Sequence, residues 1–254
     1  MKNKYPILEF DKYPKAVISP ANLIKPVDAP EHCVLCFFRE VIEHLRKHEG
    51  AKAIAIHKGE AGEHPLYELT VGGKRLAVFH PGVGAPLAAA LLEEILVHGC
   101  SKIIACGGAG VLDKGIASGR ILVPSKAIRD EGTSYHYLPP AREVSASHEA
   151  VEAIVSVLKE HGRDYIITKT WTTDAPYRET PAKVKLRREE GCLAVDMETA
   201  AFFAVAKFRG VKFGSLFYAG DDVSGDEWSR RIWGKQHSIR RELFWLAAEA
   251  CLKL

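Results

Sequence analysis

The sequence lacks any apolar segment approaching the roughly 20 residues that a membrane-spanning helix needs. No apolar stretch follows the first lysines, as it would in a signal peptide. Excess positive charge is also small: the net charge is +3, and no basic stripe with interleaved aromatic residues occurs. These absences predict a cytoplasmic protein that binds neither membranes nor nucleic acid.

Cysteine is scarce, with six residues that lie mostly inside apolar runs. This usage is typical of a reducing compartment rather than of a disulfide framework. The spacing of Cys33 and Cys36 could indicate a metal or redox site, but no second cysteine pair or histidine cluster with ligand spacing follows. We therefore expect two small buried residues of a strand at these positions, and no metal.

The chain has 254 residues, of which 47% are hydrophobic, and it contains neither an internal repeat nor a low-complexity linker. This length suits one large domain with a substantial core. Residues 1–30 are rich in proline and have no periodicity, which predicts an extended arm lying on the domain or on a neighbouring subunit. Residues 31–254 are expected to form the single domain.

Apolar runs typical of strands alternate with helical segments, and Gly72-Gly73 between two such runs predicts a hairpin. Strands alternating with helices, plus one hairpin, indicate a three-layer α/β/α domain with a mixed central sheet. The predicted strands are 33–38, 52–57, 66–71, 74–80, 101–106, 120–128, 164–173 and 211–218, and residues 193–195 lead into the helix that begins at Met197. The predicted helices are 39–48, 86–98, 147–161, 180–190, 197–208 and 226–254.

Two carboxylate clusters stand out, one in residues 195–201 (V-D-M-E-T-A-A) and one in residues 218–222 (Y-A-G-D-D). Glu198 falls in the first turn of an apolar helix, where the helix dipole favours an ionised carboxylate that can accept hydrogen bonds from a sugar diol. Asp221 follows a buried strand, at the edge where open α/β sheets bind their ligands. That place suits a general acid.

Several segments resemble a known family in the same order along the chain. The stretch 195–201 resembles the ribose-binding helix start of the nucleoside phosphorylases and nucleosidases that share the purine nucleoside phosphorylase and uridine phosphorylase fold. Residues 121–124 and 129–136 (I-L-V-P and R-D-E-G-T-S-Y-H) resemble a uridine phosphorylase strand and loop. Residues 106–110 and 80–84 fall where the family carries its glycine motifs. The match covers roughly residues 50 to 250.

The resemblance implies roles for the ribose and the leaving base. Glu198 would hold the 2′ and 3′ hydroxyls, with Met197 packed on the sugar, and His136 would also reach the ribose. Asp221 aligns with the aspartate that protonates N7 of a purine, and Asp222 competes for that role.

The base-binding loop of the family resembles residues 172–179 (T-T-D-A-P-Y-R-E). The resemblance places Thr173, Tyr177 and Arg178 against the base. The residues by which uridine phosphorylases read uracil are not in register here, since Thr180 and Ala182 occupy those positions. The choice between a purine and a pyrimidine base stays open.

For phosphate, the resemblance implies Gly82, Gly107 and Gly108, with residues 107–110 forming a glycine loop whose backbone N–H groups face an anion. The family's arginine and hydroxyl are replaced by Ala105 and Gly108. A guanidinium would therefore have to come from Arg39, from Arg178 or from a neighbouring subunit. In hydrolytic relatives a glutamate after the first strand activates water, and Glu40 lies close to that register.

From these residues we expect a nucleoside phosphorylase, which cleaves the N-glycosidic bond with inorganic phosphate to give ribose 1-phosphate and free base. The first alternative is a nucleosidase that uses water. The second is a nucleoside-binding protein without turnover. The family implies no cofactor apart from inorganic phosphate as co-substrate. It also implies a homo-oligomer, either a dimer or a hexamer.

Overall fold

The structure is a computed structural model that describes residues 2–231 and 237–254. Within these residues the strands are β1 His32–Cys36, β2 Lys52–Gly59, β3 Gly62–Val71, β4 Lys74–Phe79, β5 Lys102–Val111, β6 Ile121–Asp130, β7 Glu143–Ser145, β8 Tyr165–Thr173, β9 Cys192–Asp196 and β10 Lys212–Asp222. The helices are α1 Pro20–Leu23, α2 Arg39–His48, α3 Ala85–Val97, α4 His148–Glu160, α5 Pro181–Glu189, α6 Thr199–Arg209 and α7 His237–Cys251.

The strands form one mixed sheet in the order β10-β6-β8-β9-β5-β1-β4-β3-β2, with β7 paired to β6. Strand β10 pairs with β5 as well as with β6, so β5, β9, β8, β6 and β10 close into a ring. Strands β1, β4, β5 and β10 run parallel where they pair, and so do β6, β8 and β9. The antiparallel β5–β9 pair joins the two groups at Gly110 and Val195.

Helices cover both faces of the sheet. The apolar sides of α3 and α6 pack on one face, and those of α2, α4 and α7 pack on the other. Buried Phe and Leu side chains fill both interfaces, and this apolar burial is the main favourable term in folding. The expected three-layer α/β/α architecture with a mixed sheet is confirmed. The hairpin at Gly72-Gly73 is also present, with positive φ at both glycines, as a tight two-residue turn requires.

Three predicted boundaries are wrong in ways that affect the site. Strand β5 continues to Val111 instead of ending at Cys106, because residues 107–110 pair with β10 and β9. Helix α6 begins at Thr199 rather than at Met197. The C-terminal helix does not begin near Asp226, and its described part is α7. Residues 223–231 are irregular, and residues 232–236 of the predicted helix lie outside the described residues.

The N-terminal arm lies on its own domain and contains two short helical turns. The backbone N–H of Val27 donates to Nδ1 of His98, and Arg209 donates to the carbonyl of Pro14. These contacts place the arm along the α3–α6 side of the molecule.

The six cysteines are all free and buried. Both members of the Cys33–Cys36 pair are fully buried within β1, as the apolar interpretation predicted. None of the helices in residues 2–231 and 237–254 combines the length and apolar character needed to cross a bilayer. Across the same residues, no set of three or more His, Cys, Asp or Glu side chains is arranged to hold a metal ion.

Candidate active site

Strand β9 ends in Asp196, whose buried carboxylate organises the start of α6. It accepts hydrogen bonds from the backbone N–H groups of Glu198 and Thr199, at 2.8 and 2.7 Å. It also accepts the hydroxyls of Thr170 and Thr172 from the neighbouring strand β8, at 2.6 and 3.2 Å. Burial raises the pKa of Asp196, while its hydrogen-bond donors act in the opposite direction. The carboxylate thereby fixes the position of residue 198.

Glu198 is the N-cap residue of α6 and is only 8% exposed. Its Oε1 accepts the backbone N–H of Gly84 at 2.6 Å, across from the turn that precedes α3. Burial, followed by the charge of Asp196, raises the pKa of Glu198 to about 8. We expected a carboxylate in the first helical turn that stays ionised. This expectation is wrong because desolvation outweighs the helix dipole at this buried position.

The turn between β4 and α3 lies against Glu198. Gly82 and Gly84 both have positive φ, and a Cβ atom on Gly82 would lie 2.5 Å from the side chain of Leu87. The N–H of Gly82 donates to Nδ1 of His80 at 3.1 Å, so this N–H is already engaged. Burial, together with the charge of Arg39, lowers the pKa of His80 to about 4. The assignment of Gly82 to phosphate stays a prediction, with its N–H bonded to His80.

Asp221 lies near the end of β10, next to Gly110, where β5 pairs with β9. A Cβ atom on Gly110 would lie 3.5 Å from its Oδ1, and its Oδ2 accepts the indole N–H of Trp228 at 2.7 Å. Asp222 is instead ion-paired with Arg231 at 2.8 Å. Of the two aspartates, Asp221 is therefore the one without a cationic partner in the described part of the chain.

Glu179 carries a raised pKa of about 7 because it is partly buried and lies close to Asp221. The negative charge of Asp221 favours the protonated form of the Glu179 carboxyl group. Glu179 can therefore hold a proton near neutral pH beside Asp221.

The loops after β6 and β8 meet beside this edge of the sheet. The N–H of Gly132 donates to the carboxylate of Asp174 at 2.8 Å. Glu131 is 5% exposed, and its Oε2 accepts the N–H of Ser134 while its Oε1 has no partner within the described residues. Burial raises the pKa of both Glu131 and Glu198, and the charge of Asp174 adds to each shift, so these carboxyl groups act on one another. The edge is strongly acidic.

Most of the side chains predicted to bind the base or the ribose are exposed to solvent rather than packed at this edge of the sheet. Thr173 is buried at the end of β8, and its hydroxyl accepts the N–H of Ala175. Tyr177 is 98% exposed, and Arg178 is also exposed. His136 is exposed at the end of a 3-10 turn that packs on α3 and α6. Their roles stay predictions, as does that of the half-buried Met197.

Residues 107–110 do not form the expected glycine loop. They continue β5, and none of its glycines has the positive φ of an anion-binding turn. A Cβ atom on Gly107 would lie 3.1 Å from the ring of Phe37, and one on Gly108 would lie 2.9 Å from the ring of Tyr218. The two glycines therefore make room for aromatic rings. The loop prediction is wrong, and the phosphate-binding role of Gly107 and Gly108 stays untested.

The hydroxyl of Tyr218 belongs to a polar network on the α7 side of the sheet. Arg240 donates to this hydroxyl at 3.0 and 3.2 Å and to Oε1 of Glu40 at 2.8 Å. The guanidinium lies over the rings of Phe38 and Tyr218. Glu40, the residue in the register of a water-activating glutamate, is thus held in an ion pair.

Sequence reasoning assigned no role to Asp196, Gly84, Glu131 or Glu179. Asp196 could have been found, since an aspartate three residues before Thr199 at a helix start is a capping pattern. The other three take their importance from residues far away in the chain, for which the sequence carries no local signal.

Comparison with known proteins tests the family. A model of the "Phosphorylase superfamily" matches residues 31–242. The chain belongs to the phosphorylase superfamily. The resemblance to nucleoside phosphorylases and nucleosidases is therefore confirmed at that level, and the chain is a divergent member.

Relatives of this superfamily member are distant. The guanosine phosphorylase of Halorubrum lacusprofundi is 26% identical over 166 residues, which cover 65% of this chain and 69% of the relative. The purine nucleoside phosphorylase of Toxoplasma gondii, solved in complex with immucillin-H, superimposes with a TM-score of 0.78 at 20% identity, covering 89% of this chain and 92% of that one. The AMP nucleosidase of Bacteroides thetaiotaomicron gives 0.71 at 24% identity and covers 89% of each chain. At these identities the two structures establish the shared fold.

Proposed function

We propose that this superfamily member cleaves the N-glycosidic bond of a nucleoside with inorganic phosphate, giving ribose 1-phosphate and free base. The observation that carries the proposal is the buried Glu198 held by the N–H of Gly84. That bond occupies Oε1 and orients the carboxyl group, so that Oε2 can accept hydrogen bonds from the ribose 2′ and 3′ hydroxyls. Met197 would pack on the sugar beside it.

The charge of the site supports glycosidic cleavage. The departing base leaves a sugar with positive oxocarbenium character, and preformed negative charge nearby stabilises such a transition state. Asp174 and Asp196, which follow or end two adjacent strands, are proposed to supply this charge, and Glu198 would add to it when it is ionised.

Asp221 is proposed as the general acid that protonates the base. Glu179, which lies beside it, has a raised pKa of about 7 and can itself hold a proton near neutral pH. Asp221→Asn should slow cleavage of purine nucleosides far more than that of pyrimidine nucleosides, because only purines offer N7 to this acid. Equal losses on inosine and uridine would contradict N7 protonation. Asp222→Asn is the matched control, and we expect it to affect both substrates equally.

A purine base is the better candidate. Asp221 supports it, and so does the name of the Halorubrum lacusprofundi relative, a guanosine phosphorylase. We further propose a homo-oligomer, either a dimer or a hexamer, in which a neighbouring chain meets Tyr177 and Arg178, both of which face solvent in the single chain.

Hydrolysis is the second candidate, and one feature of the chain favours it. The segment expected to bind phosphate carries aromatic rings packed on Gly107 and Gly108, and Ala105 replaces the family's arginine. A nucleosidase would need no phosphate there.

The test is release of free base from a panel of purine and pyrimidine nucleosides, with and without phosphate, followed by identification of the sugar product. Release that requires phosphate and yields ribose 1-phosphate would support the proposal. Release of ribose without phosphate would support the nucleosidase instead. Tight nucleoside binding without any product would indicate the binding protein without turnover.

A further inference from the structure

His80 begins the turn between β4 and α3, and the proposed chemistry gives it no role. Its imidazole packs edge-on against the ring of Phe37, with the ring centroids 6.1 Å apart, and Phe37 lies 6.4 Å from the ring of Phe202 on α6. The imidazole is therefore held by aromatic packing between the end of β1 and the helix that Glu198 caps.

Nδ1 of His80 closes the first half of the turn. It accepts the backbone N–H of Gly82 at 3.1 Å, and a side-chain acceptor for the N–H two residues later is a common way to stabilise a tight turn. Val83 is 62% exposed, so its side chain contributes little packing to the turn. The side-chain bond that holds the turn from within therefore comes from His80.

The second half of the turn ends on Glu198. The N–H of Gly84 donates to Oε1 of Glu198 at 2.6 Å, and the carbonyl of Gly84 accepts the N–H of Ala88 in the first turn of α3. The direction of the Gly84 N–H thus depends on two restraints, His80 before it and α3 after it.

The bond from Gly82 requires a neutral imidazole, because a protonated Nδ1 has no lone pair with which to accept it. Burial lowers the pKa of His80 to about 4, and the charges of Arg39 on α2 and of His64 on β3 act in the same direction. His80 therefore keeps this acceptor throughout the neutral pH range.

The ionisation of Glu198 depends on the N–H that the turn presents. Burial and the negative charges of Asp196 at the end of β9 and of Asp174 after β8 raise the pKa of Glu198 to about 8. The backbone N–H groups of Gly84 and Met197 act in the opposite direction, because they favour the ionised carboxylate. Of these two donors, Gly84 is the one that comes from a distant part of the chain.

We propose that His80 is a positioning residue for Glu198, and that its Nδ1 holds the 80–84 turn in the conformation that presents the Gly84 N–H to the Glu198 carboxyl group. His80 touches no substrate in this role. The inference rests on the proposed function, because it names a residue that sets the place and the proton affinity of the group proposed to hold the ribose.

Two variants of nearly the same size separate the acceptor from the ring. His80→Asn introduces a side-chain oxygen that can accept the Gly82 N–H, whereas His80→Leu has a similar shape and no acceptor. Both lose the imidazole, so a difference between them reports the hydrogen bond. His148→Leu, at an exposed histidine of α4, is the control.

The first readout is the pKa of Glu198 in the full chain, followed through the NMR resonance of its carboxyl carbon, which Glu198→Gln identifies. His80→Leu should raise this pKa by about 1, a roughly tenfold tighter hold on the proton, as expected for the loss of one hydrogen bond to a charged group. His80→Asn and His148→Leu should leave it at the wild-type value. A pKa unchanged in His80→Leu, or raised equally in His80→Asn and His80→Leu, would overturn the proposal.

The second readout is the pH dependence of kcat/KM for base release, which reports ionisations of the free enzyme. Its midpoint on the acidic side should move upward with the pKa of Glu198 in His80→Leu and stay in place in His80→Asn. A general loss of stability would lower the rate without moving this midpoint. An unmoved midpoint in His80→Leu would contradict the positioning role.

A measurement on wild type alone applies even if His80→Leu does not fold. The NMR resonances of the His80 ring nitrogens should show an unprotonated Nδ1 and a protonated Nε2 at pH 7. A protonated Nδ1 at that pH, or titration at the ordinary histidine pKa of about 6.5, would overturn the proposal.

Base release and the pKa of Glu198 are measured independently, so the two proposals can fail separately. A pKa raised in His80→Leu but not in His80→Asn, with no base release by wild type, would support the role of His80 and contradict the proposed function. Base release by wild type, with the same Glu198 pKa in all three proteins, would do the reverse.

Discussion

Replacing Glu198 by glutamine should make the protein more stable at alkaline pH while abolishing its activity. The glutamine side chain keeps an Oε1 that can accept the N–H of Gly84, so the hydrogen bond survives and only the ionisable proton is removed. The Glu198→Gln variant isolates the cost of burying the carboxylate.

The expected difference in the free energy of unfolding follows from the raised pKa of Glu198. The folded chain holds the Glu198 proton with a pKa of about 8, against an ordinary value of 4.5. The stabilisation from this proton is complete below pH 4.5 and is lost as the pH rises through 8. At about 1.4 kcal/mol per pKa unit, the free energy cost above pH 8 is at most about 5 kcal/mol. Relaxation of the surroundings reduces it, and we expect about 2–3 kcal/mol.

The assay is urea unfolding of wild type and Glu198→Gln at pH 5 and pH 9. The two proteins should differ little at pH 5, whereas at pH 9 the variant should be the more stable by the amount given above. Glu227→Gln, at an exposed glutamate, is the control and should leave the pH dependence unchanged. A Glu198→Gln protein no more stable than wild type at pH 9 would refute the reasoning.

Three further predictions concern stability, each measured by urea unfolding. Asp196→Ala should lower the free energy of unfolding by about 3–5 kcal/mol, because it removes the helix cap and leaves two threonine hydroxyls without their acceptor. The exposed Asp226→Ala should change this free energy by no more than about 0.5 kcal/mol. Gly108→Ala should cost about 1–3 kcal/mol because its Cβ atom would overlap a tyrosine ring, whereas Gly59→Ala enters open space and should be neutral. Wild type should lose stability as the pH falls from about 6.5 to 4, where the unfolded chain binds the His80 proton and the folded chain does not, and His80→Gln should reduce that loss.

Most of the strands and helices could be predicted from the periodicity of the apolar residues and from the turn residues. The alternation of strands and helices and the Gly72-Gly73 turn are local signals, and each was interpreted correctly. The predicted strand ended too early, at Cys106, because glycines such as those in residues 107–110 are locally typical of a loop. Their extended conformation comes from pairing with β10 and β9, which are distant in the chain. Tertiary pairing overrode local preference there.

The site was only partly accessible from the sequence. The motif that begins at Val195 predicted Glu198 at the start of a helix, and the residue is the N-cap of α6. Its protonation does not follow from that motif, because burial and the neighbouring Asp196 arise only in the folded chain. Likewise, the proximity of Glu179 to Asp221 joins the loop after β8 to the end of β10, which no sequence motif connects.

We propose that the site around Glu198 breaks a glycosidic bond. The most direct measurement follows free base and sugar products by proton NMR, using inosine with phosphate and comparing wild type with Glu198→Ala. Wild type should give free base and ribose 1-phosphate, and a folded Glu198→Ala protein should give them at a rate lower by orders of magnitude. A near-normal rate in that variant would contradict the assignment of Glu198 to the ribose, and with it the proposed site.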